Sequence, residues 1–408
     1  MEVRLFFEFI QVAVGNRKSL SVSVADADWH RLFEFCKKQA LIGVGFTAVE
    51  KLHTIGVICP AALRMRWMAL ALQIETRNGL LNEQCSQLAR RYEHDGLETC
   101  ILKGQGNCLN YPEGLRNRRQ CGDIDVWTAP LCDISVAVQT GKEKVEYVEY
   151  HGRKAVIEYV RMQHRLEGNI EKPVIRYHHI EAPKIDGTEV EVHFRPCYAH
   201  SPLRNWRMQR WFNEHADVCM KNNTHMGFAV PTASVNVVYQ MCHLFSHYFD
   251  EGIGLRQLMD YYFVLKVWHN DAMECKDLQS QGMWSEGLGT PVMSAQEVMA
   301  VLRSLGMAKF AGAVMYVLHK VFAIPTHYYI CEPNEKEGKK LLEEIMKGGN
   351  FGQYDTRDAT LKNGGMIKHG IWKLKRVMRL VRSYPEEALW EPVFRVYHLI
   401  WRTLLPHC

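Results

Sequence analysis

Two neighbouring stretches, Leu102-Lys103-Gly104-Gln105-Gly106 and Arg119-Gln120-Cys121-Gly122-Asp123-Ile124-Asp125-Val126, set the reading of this chain. The run Thr99 to Leu102 is short, apolar and stopped by glycines, and a second run, Ile124 to Thr128, is stopped at Pro130, so both predict strands. Residues two apart on a strand share a face, so Asp123 and Asp125 present two carboxylates side by side while Ile124 and Val126 face a core. Carboxylates held that close repel unless a hard cation lies between them, and Mg²⁺ or Mn²⁺ with attached phosphates is suited to that place. A third carboxylate, Glu191, lies in the alternating run Glu189 to Phe194. If that strand lies beside the first, Glu191 and His193 join the acidic face, and the three carboxylates can hold metal on a triphosphate and activate an attacking hydroxyl. The turn Lys103-Gly104-Gln105-Gly106 offers backbone N–H groups to phosphate, with Lys103 or Arg119 neutralising charge on departing pyrophosphate.

Working outward, apolar residues recur at helical spacing from Ala25 to about Asp95, as in Trp29, Leu32, Phe33 and Cys36. A helix is expected over Lys154 to Gln163, then strands over Val174 to Ile180 and Thr188 to Phe194, joined by a turn at Asp186-Gly187. Beyond Pro202 the texture is helical again, with Val235, Val238, Met241, Phe245 and Tyr248 on one stripe and Asn236, Gln240, His243 and His247 on another. Ser294 and Glu297 have the spacing of a capping box, and Asn334 to Gly352 predicts a helix followed by an exposed loop. The expected fold class is α+β: a mixed sheet with flanking helices at 98–200, preceded by a helical region at 1–97 and followed by another at 201–408.

Composition narrows the function. The chain of 408 residues is 47% hydrophobic, enough for a sizeable core, and its net charge of +5 gives no strong nucleic-acid signal. Its apolar runs are shorter than the roughly 20 residues a membrane helix needs. Thirteen cysteines in an odd, scattered set point to free thiols in a reducing, cytoplasmic setting. His243 and His247 have the helical spacing of a zinc protease, but Leu244 stands where that chemistry needs a glutamate. They either bond across a helix interface or, through His247 with Arg256 and Asp260, line a nucleotide or acceptor pocket. The segment Lys368 to Arg382 sets Lys375, Arg376, Arg379 and Arg382 opposite Leu374, Val377, Met378 and Val381, the pattern of a packed helix with a solvated basic face.

The ordered set Leu102-Lys103-Gly104, Tyr111-Pro112, Arg119-X-X-Gly122-Asp123-Ile124-Asp125 and Glu191-Val192-His193 resembles an uncharacterised bacterial nucleotidyltransferase family of the DNA polymerase beta-like superfamily. His243-X-X-X-His247 and Gly254 to Asp260 resemble that family's helical region, so the likeness covers roughly residues 98 to 262. It implies a minimal nucleotidyltransferase sheet, Mg²⁺ or Mn²⁺ on Asp123 and Asp125, a third acidic position at Glu191, and triphosphate contact near Gly104. Lys103, Gly104, Gln105, Arg119, His193, His247, Arg256 and Asp260 are the expected nucleotide-binding positions. The chain departs from the superfamily at Gln105, where a Gly or Ser commonly touches phosphate. The expected activity is transfer of a nucleoside monophosphate from a nucleoside triphosphate to the hydroxyl of a small molecule, protein or RNA. Phosphotransfer, or nucleotide binding without catalysis, stands as the alternative.

Overall fold

The computed structural model describes residues 3–131, 133–139, 145–168, 173–280, 292–362 and 364–404. Four helices open the chain: α1 (Val3–Val14), α2 (Asp26–Lys38), α3 (Ile42–Thr54) and α4 (Ala61–His94). Then come β1 (Leu97–Ile101), the one-turn helices α5 (Gln105–Cys108) and α6 (Glu113–Arg116), β2 (Ile124–Pro130), the hairpin β3 (Ile134–Gln139) and β4 (Val145–Tyr150), α7 (Gly152–Leu166), β5 (His179–Ile185) and β6 (Thr188–His193). The rest is helical: α8 (Pro202–Glu214), α9 (Ala216–Met220), α10 (Ala233–Asp250), α11 (Leu255–Ser280), α12 (Ala295–Ser304), α13 (Ala308–Phe322), α14 (Glu335–Gly348), α15 (Ala359–Lys362), α16 (Met366–Leu380) and α17 (Pro385–Leu404). This is the expected α+β architecture.

The main sheet has strand order β1-β2-β6-β5, and only its central pair, β2 with β6, is parallel. Alternation along the strands divides its two faces. Ile124, Val126, Val190 and Val192 pack with Leu81, Cys85, Leu88 and Tyr92 of α4 and with Val156 and Val160 of α7. The residues between them, Asp125, Trp127, Glu191 and His193, therefore point the other way, as the sequence pattern requires. A second, larger core cluster joins α1 to α4 with α8 to α14, α16 and α17, running from Leu5 to Ala388.

Where the structure departs from expectation, the cause is local. The first hairpin strand runs over His179–Ile185 and not Val174 to Ile180, of which only Ile175 bridges back to Ile180. Pro183 looks like a strand breaker, but β5 is an edge strand and its register shifts between Ala182 and Ile185, so the missing N–H costs no ladder bond. The segment after α14 is packed, not exposed: Gly349 and Gly352 are buried, and Asn350 Oδ1 accepts from Gln257 Nε2 at 3.1 Å. The basic helix is only partly solvated. Arg376 is buried and donates to the carbonyls of Tyr248 and Phe249 at the end of α10, while Leu374 and Met378 are exposed. The capping box at Ser294 and Glu297 forms as its spacing predicts.

One buried ion pair ties the helices to the sheet. The Arg119 guanidinium grips Asp260 of α11 with two bonds, Nε to Oδ1 at 2.6 Å and Nη2 to Oδ2 at 2.7 Å, and Tyr111 Oη donates to the same carboxylate at 2.6 Å. Asp260→Ala leaves the guanidinium buried without its counter-charge, so a loss of about 3–5 kcal/mol is expected in urea unfolding. A loss under about 1 kcal/mol, the range of an exposed pair, would show that solvent replaces the carboxylate freely.

Candidate active site

The site lies where β1 ends and the central strands present their polar face. Gly104 turns the chain at φ +54°, and Gly106 follows so close to β1 that a Cβ there would lie 2.5 Å from the Ile101 carbonyl oxygen. Both glycines are thus required by backbone placement. The turn delivers Lys103, whose Nζ lies 2.6 Å from Asp125 Oδ1. The parallel register sets Asp125 directly opposite Glu191. His193 Nε2 lies 3.0 Å from Asp125 Oδ1 and 3.5 Å from Glu191 Oε2, and His179 Nδ1 is 3.4 Å from the same Glu191 oxygen.

The two members of the Asp-X-Asp pair differ. Asp125 is 2% exposed. Burial opposes its charge, but Lys103 and His193 outweigh that and hold its carboxyl well below the usual range. Asp123 precedes β2 and keeps its surface open to solvent at the edge of the site; repulsion from Asp125, then the partial loss of water to the crowded atoms behind it, raises its pKa. Burial likewise opposes the Lys103 ammonium, yet Asp125, Asp123 and Glu191 together raise its pKa. The site thus holds a mutual repulsion between carboxylates that one lysine only partly relieves.

Among the described residues, Asp125, Glu191 and His193 bring one ligand atom each within 4.8 Å of one another, close enough to share a divalent cation. This set fits a metal, although it includes His193 and not Asp123. Asp123 remains near enough for its titration to respond to Asp125, Lys103 and Glu191.

In front of the carboxylates is a chamber of about 730 Å³ lined by Lys103, Glu191 and His193. Four basic residues from three segments reach it: Arg176, Lys373 of α16, and Arg395 and Arg402 of α17. His247 also lines it and bonds Glu251, Nδ1 to Oε1 at 2.7 Å. Other predicted positions point elsewhere. Gln105 is buried and donates to Asn78 O and Asn82 Oδ1 on α4. Arg119 and Asp260 are spent on each other, and Arg256 donates to the Gln120 carbonyl. Arg119 Nη1 also lies 2.9 Å from Cys121 Sγ. Burial pushes that thiol up, but its hydrogen bond with the Cys108 thiol and the nearby Arg119 prevail and bring it down to about 7.

Residues 25–282 match the model of an uncharacterised nucleotidyltransferase family. This chain belongs to that family. The matched span takes in the sheet, the glycine turn, Asp123, Asp125, Glu191 and α10, while the chamber residues of α16 and α17 lie beyond it. Nucleotidyl transfer is the class of activity that membership supports. None of the curated proteins and none of the solved structures matches the chain.

Sequence reasoning missed most of the chamber wall. No motif marks the doublet His178-His179 or the contributions of α17 (Glu391, Arg395, His398, Arg402). Burial, followed by the neighbouring His193, takes the His179 pKa down to about 3, and burial first also lowers His178 and His243. An imidazole held neutral in the fold gains its proton only on unfolding, so its contribution to stability is present above the unfolded pKa of about 6.5 and lost as pH falls below it. Each such group is worth about 1.4 kcal/mol per pH unit over that fall. Melting curves of the metal-free protein from pH 7 to pH 5 are expected to shift to lower temperature, and His243→Gln to flatten the decline. An unchanged slope in the variant would show that His243 takes up its proton within the fold.

Proposed function

We propose that this chain is a metal-dependent nucleotidyltransferase that moves a nucleoside monophosphate from a nucleoside triphosphate to an acceptor hydroxyl and releases pyrophosphate. The observation that carries this reading is the register of β2 on β6, which sets buried Asp125 against Glu191 with Lys103 at 2.6 Å from Asp125. Asp123, Asp125 and Glu191 would hold Mg²⁺ or Mn²⁺, which supplies charge neutralisation for the triphosphate and activates the attacking oxygen. The acceptor oxygen bonds to the α-phosphorus, the bond from that phosphorus to the β-bridging oxygen breaks, and the hydroxyl proton is released. Lys103, with Arg176 and Arg402 of the wall, balances the charge that gathers on pyrophosphate, Lys373 and Arg395 being paired with Asp250 and Glu391. A cytoplasmic setting fits a nucleoside triphosphate substrate, and no described helix is long and apolar enough to cross a membrane.

The acceptor has a natural place beside the chamber. A second cavity of about 850 Å³, lined by Trp206, Trp390 and Tyr397, shares Tyr177, His200 and Phe394 with it. An acceptor with an apolar or aromatic body seated there would turn its hydroxyl toward the carboxylates. A second reading, nucleotide binding without turnover, is favoured by the inward-turned Gln105, which offers no side chain to phosphate.

Titration calorimetry with a panel of nucleoside triphosphates tests the site. Wild type is expected to bind in a Mg²⁺-dependent way, and Asp123→Ala/Asp125→Ala to lose that binding. Asp123→Asn, a change at an exposed position, is expected to weaken it by about tenfold or more while the protein stays folded. Triphosphate binding that ignores Mg²⁺ and survives these changes would overturn the assignment. Pyrophosphate release in an acceptor screen separates the enzyme from the silent binder, and a nucleoside diphosphate product would indicate phosphotransfer.

A further inference from the structure

Eight of the chain's 19 histidines line the chamber: His178, His179, His193, His200, His243, His247, His369 and His398. Three converge where β5 and β6 run side by side. One ring nitrogen from each of His178, His179 and His193 lies within 4.8 Å of the other two, and their ring centroids are 4.4 to 5.2 Å apart. His179 is 4% exposed and His193 2%.

Each of the three rings keeps one buried nitrogen without a hydrogen-bond partner: His178 Nδ1, His179 Nε2 and His193 Nδ1. A buried polar atom left in that state is destabilising, and three in one cluster call for a common explanation. The remaining nitrogens are engaged. His193 Nε2 meets Asp125 Oδ1 at 3.0 Å, and His179 Nδ1 meets His178 Nε2 at 3.1 Å and Glu191 Oε2 at 3.4 Å. Carboxylates that take one imidazole nitrogen and so fix the ring are the usual outer partners of metal-bound histidine. Mg²⁺ is a poor occupant, because it takes oxygen ligands and keeps its water, whereas imidazole suits Zn²⁺, Ni²⁺, Cu²⁺ and iron.

We propose that His178, His179 and His193 bind a borderline divalent transition metal of the Zn²⁺ type, next to the carboxylate set and sharing His193 with it. The proposal stands on the imidazole cluster alone and does not require nucleotidyl transfer. Its metal sits where it can order β5 against β6 and fix the ring of His193, the residue that also bonds Asp125.

The test uses the full chain, stripped with a chelator and loaded with Co²⁺ as a spectroscopic stand-in. The expected result is one equivalent bound with visible d–d bands, displaced by Zn²⁺ and not by Mg²⁺. His178→Gln is expected to weaken Co²⁺ and Zn²⁺ by at least about tenfold, and His369→Gln, at the exposed rim, to leave them unchanged. Absent bands, bands that Mg²⁺ displaces as well as Zn²⁺ does, or a folded His178→Gln protein with wild-type affinity would overturn the proposal. Should His178→Gln fail to fold, X-ray absorption at the zinc edge of the wild type decides, since three imidazole ligands are expected and fewer overturn the site. Loss of Mg²⁺-dependent triphosphate binding leaves a positive Co²⁺ result standing, and the converse also holds.

Discussion

A carboxylate buried as deeply as Asp125 must be met by positive charge or by donors, because burying an unpaired charge costs far more than a domain's whole margin of stability. The remainder of the site follows from how that demand is met. Lys103 can reach Asp125 only because Gly104 and Gly106 turn the chain tightly at the end of β1. His193 can reach it only because β6 runs parallel to β2 in the register that pairs Trp127 with His193. The valines between these polar residues face α4 and α7, so the same alternation that builds the core aims the acids at the chamber.

How much of this the sequence disclosed depended on whether a residue's role is local or distant. Glycines next to a strand, an Asp-X-Asp pair and an alternating strand with a third acid are local patterns, and each marks a direction in space through the period of two. They disclosed the sheet, the acidic face and its approximate place in the chain. The hairpin β3–β4 had no such mark, and Pro183 concealed an edge strand that tolerates it. Arg119 and Asp260 lie 141 residues apart, and nothing in either neighbourhood shows that they neutralise one another. Read locally, Arg119 and Asp260 look like ligand contacts, whereas the fold pairs them as a cross-link.

The chamber wall is the clearest case of distant assembly. Arg376 bonds the final carbonyls of α10, and Lys373 bonds the Asp250 carbonyl at 2.7 Å, so α16 caps the helix that carries His243 and His247. Phe351, from the packed turn after α14, lies 5.0 Å from the His247 ring and 5.3 Å from the Arg256 guanidinium. Such contacts come from segments more than two hundred residues beyond the Asp-X-Asp pair. They are decided by packing of the whole helical layer, which no short window of sequence encodes.

The two borders of the small sheet have a bearing on what can approach it. On one side Pro183 and the shifted register interrupt the hydrogen-bonding rim of β5. On the other, the Ile101 N–H of β1 is already taken by the Ala229 carbonyl at 2.8 Å. An extended polypeptide looking for a free ladder to join would find neither rim regular, so recognition by strand augmentation is closed at these positions. If the acceptor is itself a protein, its hydroxyl must arrive on a protruding loop or a chain terminus that enters the cavity end-on, with specificity set by side chains and not by backbone pairing.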